Sequence, residues 1–405
     1  SQTSKQPEQP HYPCTEEFLQ DFWYDQPVEG YHVACLSTSS AVDTDGNDNN
    51  DNNSKSFELK LYAKGVAENE WISNEITIDN WTTLQTVLQD QLQLPTAATN
   101  YNDFQPWAIY SPEGRRLLGA DEKRQRSHQI LQRLVDHGVS LIYQGGQFLW
   151  PGIRVGYRRT NVQLYSVMPY GMKEESKSRQ NVTIETMSLQ PLVVSIHGFL
   201  SRDECSHIQQ TAEPHLRYSG VSLMDHDKGR PASDFRTSQS TFLQSHVQND
   251  PILQDLDNRV ASLARLPRRH QEHVQVLRYG NGEKYDHHHD YFDPMFYQND
   301  VNTLNLIGRN GRRNRLATVF WYLSTVEQGG ETVFPRAFGQ WPTSNQDCTG
   351  GLRVKPQEGK VIIFYSLQMT GQLDTNSLHG ACPVVEGVKY AANKWIWNEP
   401  MMYVQ

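Results

Sequence analysis

The stretch Tyr279-Gly-Asn-Gly-Glu-Lys-Tyr-Asp-His-His-His-Asp290 decides how the carboxy-terminal half of the chain is read. Its end, His288-x-Asp290, sets an imidazole and a carboxylate two residues apart. Side chains alternate between faces along an extended strand, so these two project the same way and His287 and His289 the other. Two such groups aimed at one point make a metal-ligand pair. The motif is short enough to arise by chance, so its meaning depends on the rest of the chain.

Downstream, Arg315-Leu-Ala-Thr-Val-Phe-Trp-Tyr-Leu323 is a near-continuous apolar run, the pattern of a strand deep in a sheet. Gly329-Gly-Glu-Thr332 marks a turn, Lys360–Tyr365 a second buried strand, and Asn393–Trp397 a closing one. Upstream, Val182, Ile184 and Pro191–His197 open the domain, and Glu272–Arg278 leads as a strand into the motif. Ser201-Arg-Asp-Glu204 is a capping box for a helix running to about Glu213. Asp250-Pro251 caps another, with Ile252, Leu253, Leu256 and Val260 on one face. Many short strands after two helices predict an α+β, mostly β fold built as a jelly-roll double sheet. His379, in Ser377-Leu-His379-Gly-Ala-Cys-Pro-Val, would complete a two-histidine, one-carboxylate set that leaves coordination positions open. Lys389, ten residues further on, is a cation suited to anchor a carboxylate as a point charge.

Taken together, residues about 181–398 resemble the prolyl 4-hydroxylase family of Fe(II)/2-oxoglutarate-dependent dioxygenases. The motifs that carry the resemblance are His288-x-Asp290, Gly-Gly-Glu-Thr-x-Phe-Pro at 329–335, Ser377-Leu-His379-x-x-Cys-Pro-Val and Gly387-x-Lys389. The resemblance implies a double-stranded β-helix and hydroxylation of peptidyl proline with O2 and 2-oxoglutarate, giving succinate and CO2, with ascorbate as reductant. It implies that His288, Asp290 and His379 bind Fe(II) and that Lys389 binds the distal carboxylate of 2-oxoglutarate. Tyr279, Thr332 and Tyr322 fall near that cosubstrate, and Arg236, Tyr285, Arg315 and Trp395 where similar enzymes contact a proline-containing peptide. Ser219–Ser240 resembles the family's loop that folds over the peptide, and its Gly, Asp and Pro content suits a loop. Asp290 favours hydroxylation over halogenation. From the residues alone, Arg236 and Arg315 also read as structural ion pairs, and Tyr285 and Trp395 as core aromatics. The alternatives in function are the same chemistry on another residue or a small molecule, and an inactive binding module; the intact ligand set argues against the last. The polar segment Pro294–Asn314, with Arg309, Arg312 and Arg313, reads as a lid, a substrate-selecting loop or a plain insertion.

The other half of the chain is less explicit. Residues 1–55 read as a low-complexity tail in which Phe18–Tyr24 and Tyr31–Leu36 are suited to dock on a neighbour. Residues 56–150 predict a small α+β domain: strands at Phe57–Leu61 and Glu75–Ile78, a helix through Leu84–Leu92, a strand at Trp107–Tyr110, a helix near Ile130–Val135 and a strand at Val139–Tyr143. That succession resembles a ubiquitin-like β-grasp. Residues 151–180 read as a linker, and 181–405 as the dioxygenase domain.

Composition sets outer limits. With 405 residues the chain has room for two or three domains. A net charge of −9 argues against nucleic-acid binding, and no apolar run is long enough for a membrane span. Five cysteines (Cys14, Cys35, Cys205, Cys348, Cys382) lack zinc-site spacing; one or two disulfides are open to them. Asn-x-Ser/Thr triplets at Asn52, Asn80 and Asn181 point to the endoplasmic reticulum or secretory pathway, with the cytoplasm as the alternative. The chain begins at Ser1, compatible with removal of a leader or anchor.

Overall fold

A computed structural model describes residues 11–38, 56–73, 76–96, 106–119, 127–165, 179–245, 249–308 and 310–401. The chain divides into two compact units. One is Ser1–Ile153 with Met369–Gly371; the other is Arg154–Gln368 with Gln372–Gln405.

In the first unit a short helix, α1 (Glu16–Leu19), precedes β1 (Tyr31–Thr38). Then come β2 (Phe57–Tyr62), β3 (Glu70–Ile72), α2 (Trp81–Leu92), β4 (Ala108–Tyr110), β5 (Arg116–Gly119), α3 (Ser127–His137) and β6 (Val139–Tyr143). The strands form one sheet in the order β3-β2-β1-β6-β4-β5. Leu59 and Leu61 of β2 and Trp81, Leu84 and Leu88 of α2 share its core, as the alternating and helical spacings require. Two expectations need correction. The expected tail contains a central strand, since β1 pairs antiparallel with both β2 and β6. The second strand lies at β3; of the expected strand at 75–78, Glu75 lies outside the described residues and Ile78 makes an isolated bridge to Phe57.

The second unit begins with β7 (Arg158–Tyr165), β8 (Arg179–Leu189) and β9 (Leu192–His197), followed by α4 (Arg202–Ala212), β10 (Arg217–Tyr218), β11 (Gln239–Leu243) and α5 (Pro251–Ala264). Next are β12 (Val274–Tyr279), β13 (Tyr285–His288), α6 (Val301–Ile307), β14 (Arg315–Tyr322), β15 (Gln328–Gly329), β16 (Thr332–Phe334) and β17 (Leu352–Val354). The last are β18 (Val361–Tyr365), β19 (His379–Ala381), β20 (Val384–Glu386) and β21 (Lys389–Trp397). β7 pairs with β8, so the expected linker carries an edge strand of the large sheet.

Nine strands form the large sheet, β10-β11-β12-β21-β14-β18-β9-β8-β7. A four-stranded sheet, β13-β19-β16-β17, lies across it, and β15 and β20 form a two-stranded ribbon. Leu277, Phe320 and Tyr322 of the large sheet share a core with Phe334 and Val354 of the small one. Every named strand pair is antiparallel, the double-sheet arrangement of jelly-roll type. β14 is buried along nearly its whole length because its outer face is covered too. There α5 packs on the sheet, with Asp257 of the helix meeting Lys394 of β21 at 2.5 Å. The capping box at Ser201 is present with both reciprocal bonds, and Asp250 caps α5 through the amides of Ile252 and Leu253. No helix among the described residues is long and apolar enough to cross a membrane.

Candidate active site

The mouth between the two sheets gathers the singled-out residues. β13 and β19 are cross-strand neighbours, with His288 directly opposite His379. Their ring centroids lie 4.4 Å apart. This close pairing depends on Gly380, where a Cβ would lie 2.7 Å from His287 Cδ2 and 3.0 Å from the Tyr285 carbonyl oxygen. Asp290, just past the end of β13, sets its two oxygens 3.8 Å from His288 Nε2 and 3.6 Å from His379 Nε2. One ligand atom from each residue falls within 4.8 Å of the others, forming the one such cluster among the described residues.

Each imidazole is held in a fixed orientation. The Asp286 carbonyl lies 2.8 Å from His288 Nδ1, and the Ser377 carbonyl 2.9 Å from His379 Nδ1. A carbonyl only accepts, so each Nδ1 carries the proton and each Nε2 turns a lone pair inward. Burial, then the neighbouring His379, hold His288 well below the usual histidine range, in its neutral, ligating form. Burial pushes the Asp290 carboxyl up, but His379, His288, Arg315 and a hydrogen bond from Thr318 outweigh it and keep the group ionised. Thr318 Oγ1 donates to Asp290 Oδ2 at 2.6 Å. Two inward nitrogens and one carboxylate fit an Fe(II) ion with open positions. His287 and His289 stay out of the cluster, as strand alternation requires. His289 Nε2 lies 3.1 Å from the Thr375 carbonyl, and His287 is packed against Gly380.

Deeper between the sheets, Lys389 on β21 pairs with Tyr279 on β12. Its ammonium is completely buried, 3.5 Å from Thr332 Oγ1 and 5.3 to 5.8 Å from the ring centroids of Tyr279, Phe320 and Tyr322. It has no ion-pair partner among the described residues. Burial pushes its pKa down to about 7, with Glu331 opposing weakly. A buried ammonium surrounded by aromatic faces and a hydroxyl is costly by itself, and its surroundings suit an anion of matching length. Tyr279, Thr332 and Tyr322 are thus brought to it.

The four expected peptide contacts divide. Arg236 packs over the Tyr285 ring at 4.7 Å, and its Nε donates to Ser238 Oγ at 2.7 Å. Its Nη2 is buried without a hydrogen-bond partner, as is Trp395 Nε1. Tyr285 stacks on His288 with ring centroids 3.7 Å apart. Arg315 is already engaged. It forks onto Glu272 at 2.6 and 3.0 Å, donates to the Asp290 carbonyl at 3.3 Å and stacks over Trp395 at 3.7 Å. The ion-pair reading of Arg315 therefore describes its geometry, with three of its five N–H groups used. Sequence reasoning missed Glu272 and Thr318. Thr318 had a signal, as a polar residue inside the apolar run of β14. Glu272 had none, because its partner is 43 residues away.

Residues 274–397 match the model of the 2OG-Fe(II) oxygenase superfamily. The chain is 38% identical over 229 residues to a probable prolyl 4-hydroxylase of Arabidopsis thaliana (number 10), covering 55% of this chain and 74% of that protein. A second, number 3, is 40% identical over 219 residues, covering 52% and 71%. A structure of a viral collagen prolyl hydroxylase from Paramecium Bursaria Chlorella virus-1, in its 2OG complex, aligns at 26% identity. It covers 51% of this chain and 95% of that one with a TM-score of 0.36, an overlap too low to define the fold, which rests on the sheets above. The fold and the three-ligand site define a 2-oxoglutarate and Fe(II) oxygenase. Within that class the chain belongs to the prolyl 4-hydroxylase family. It is accordingly a dioxygenase that uses Fe(II), 2-oxoglutarate and O2.

Proposed function

We propose that the chain hydroxylates C4 of proline within peptides and converts 2-oxoglutarate to succinate and CO2. The observation that carries this reading is a preorganised three-ligand metal site and a buried ammonium, Lys389, without an ion-pair partner among the described residues, flanking one inter-sheet core: Phe334 and Phe364 of that core lie against His379, and Tyr279, Phe320 and Tyr322 against Lys389. Iron bound with the cosubstrate supplies the oxidising chemistry that replaces C–H by C–OH.

The protein's own part is binding, orientation and exclusion of water. His288 Nε2, His379 Nε2 and the Asp290 carboxylate would hold the metal, with their outer contacts at Asp286, Ser377 and Thr318 fixing each ligand. Lys389 would take the distal carboxylate of 2-oxoglutarate, with the Thr332 hydroxyl and the Tyr279 and Tyr322 rings around it. That contact relieves the cost of the buried charge and so favours binding. Phe334 and Phe364, 5.7 and 4.5 Å from the His379 ring, wall the site from solvent. The spare donors at Arg236 Nη2 and Trp395 Nε1 suit peptide carbonyls, because each is buried without a partner. Tyr285 would form the wall against which the proline ring lies.

Ascorbate as reductant is part of the same proposal, by family habit. So is a secretory compartment, supported by the disulfide between Cys348 and Cys382. A ubiquitin-like reading of the first unit would make it a protein-contact module. Its succession of strands and helices supports that, and its antiparallel centre does not. The test is peptide-dependent succinate release with mass analysis of the peptide. One added oxygen on proline supports the reading; iron-loaded protein that turns over with no proline peptide overturns it.

A further inference from the structure

The connection between β16 and β17 holds a large aromatic in water, on a loop tied to the segments that carry the metal ligands. Trp341 is 73% exposed and Phe338 55% exposed. Phe338 holds φ at 61°, an uncommon and costly conformation for a bulky residue. Costs of this kind persist where the surrounding structure enforces them.

The surrounding structure does so here. Asp347 accepts from the amides and hydroxyls of Thr343 and Thr349 at 2.6 to 2.9 Å. Gln340 Oε1 accepts from the Gly351 amide at 2.7 Å. Gly351 has φ of 68°, and a Cβ there would lie 2.1 Å from the Phe334 carbonyl oxygen, so the loop closes only with glycine. Both ends are fastened to residues that carry the ligand set. At one end Cys348 is bonded to Cys382, three residues past His379, and the Asn345 carbonyl accepts from the His287 amide at 2.9 Å. At the other, Arg336 Nη1 donates to the Thr375 carbonyl at 2.6 Å, the same oxygen that faces His289. Thr375 opens the turn whose Ser377 carbonyl orients His379. The Arg336 guanidinium also packs over one face of Trp341, 5.0 Å from its centroid.

We propose that Trp341, supported by Arg336, is a substrate-positioning residue that stacks on a proline-rich flank of the peptide, away from the proline being hydroxylated. This rests on the peptidyl-proline reading above. A proline-rich chain in the polyproline II form offers flat ring faces to aromatic side chains and has little freedom left to lose on binding. An indole carried on a hydrogen-bonded loop, with a cation over one face and water on the other, presents the matching surface. The occupant is therefore the extended end of the substrate.

The test compares two peptides with the full chain: one of about three residues around a target proline, and one carrying about six further proline-rich residues on either side. The native enzyme should show a lower KM for the long peptide. Trp341→Ala should raise that KM about fivefold, the worth of one aromatic stack, with kcat within about twofold, so that the preference for length collapses. Trp341→Phe should restore most of it. An unchanged ratio of the two KM values in Trp341→Ala overturns the inference alone. So does a changed association state with peptide KM untouched, which would make the patch a contact between copies. No proline hydroxylation by the native enzyme on either peptide would overturn the functional reading and this inference together.

Discussion

His288 and His379 face each other as cross-strand partners, each with its Nδ1 against a backbone carbonyl. The two ligating nitrogens therefore reach the site with tautomer and orientation already set. The third ligand comes from past the strand end and depends on a hydroxyl of the opposite sheet. Metal affinity should thus respond to residues that never touch the metal.

Thr318→Val is the cleanest probe of that dependence. It keeps the shape and removes the 2.6 Å bond to Asp290. Iron affinity should fall about tenfold to a hundredfold, with a native circular dichroism spectrum. His379→Ala should lose the site outright. Iron titration followed by tryptophan quenching checks both; an unchanged Thr318→Val affinity would show that Asp290 holds its position unaided.

Lys389 links stability to pH. Its folded pKa, about 7, lies below its ordinary 10.5. Between those values the unfolded chain binds more protons, so the contribution of this group to stability rises with pH across that window and is least below pH 7. Lys389→Met should therefore raise the Tm of the cosubstrate-free protein at pH 7 and flatten the rise, while the KM for 2-oxoglutarate increases at least about tenfold. Thermal melts at pH 7 and 9 check the first part. A lowered Tm would show that the ammonium is stabilising rather than stored for a ligand.

The Arg315–Glu272 fork is mostly buried and carries Trp395 and Trp397 with it, since Glu272 also accepts from Trp397 Nε1 at 2.7 Å. Glu272→Ala should cost about 3 kcal/mol by leaving the guanidinium without its partner. The double change Glu272→Ala with Arg315→Met should recover part of that loss in urea unfolding. Equal costs for the single and double variants would rule out the stranded charge as the cause.

Cys348 and Cys382 close a loop with a sequence separation of 34. Replacing both with serine should cost about 3 to 4 kcal/mol by freeing the unfolded chain. Reductant should lower the Tm of the native protein and leave that of the double variant unchanged. Equal response of the two would place the sensitivity elsewhere.

The parts legible in the sequence were those with local signals. Period-two alternation put His288 and Asp290 on one face, and the capping residues at Ser201 and Asp250 started their helices where the structure has them. The fold of the second unit followed from apolar runs such as 315–323. Illegible were features set by distant partners. β1 stands between stretches of polar residues, and only pairing with β2 and β6 makes it a central strand. β7, likewise, is a strand because β8 offers it an edge. Residues 301–307 carry Leu304, Leu306 and Ile307 in a short helix, α6, inside a segment that reads as polar. Arg309 and the Asn52 triplet lie outside the described residues.

The most direct measurement is product analysis after incubating the protein with Fe(II), 2-oxoglutarate, ascorbate and a proline-rich peptide, with His379→Ala alongside. The account predicts succinate in step with peptide, one oxygen added per event, and 4-hydroxyproline on hydrolysis, all absent from the variant. Iron-loaded native protein that releases succinate without modifying proline, or modifies another residue instead, would contradict it.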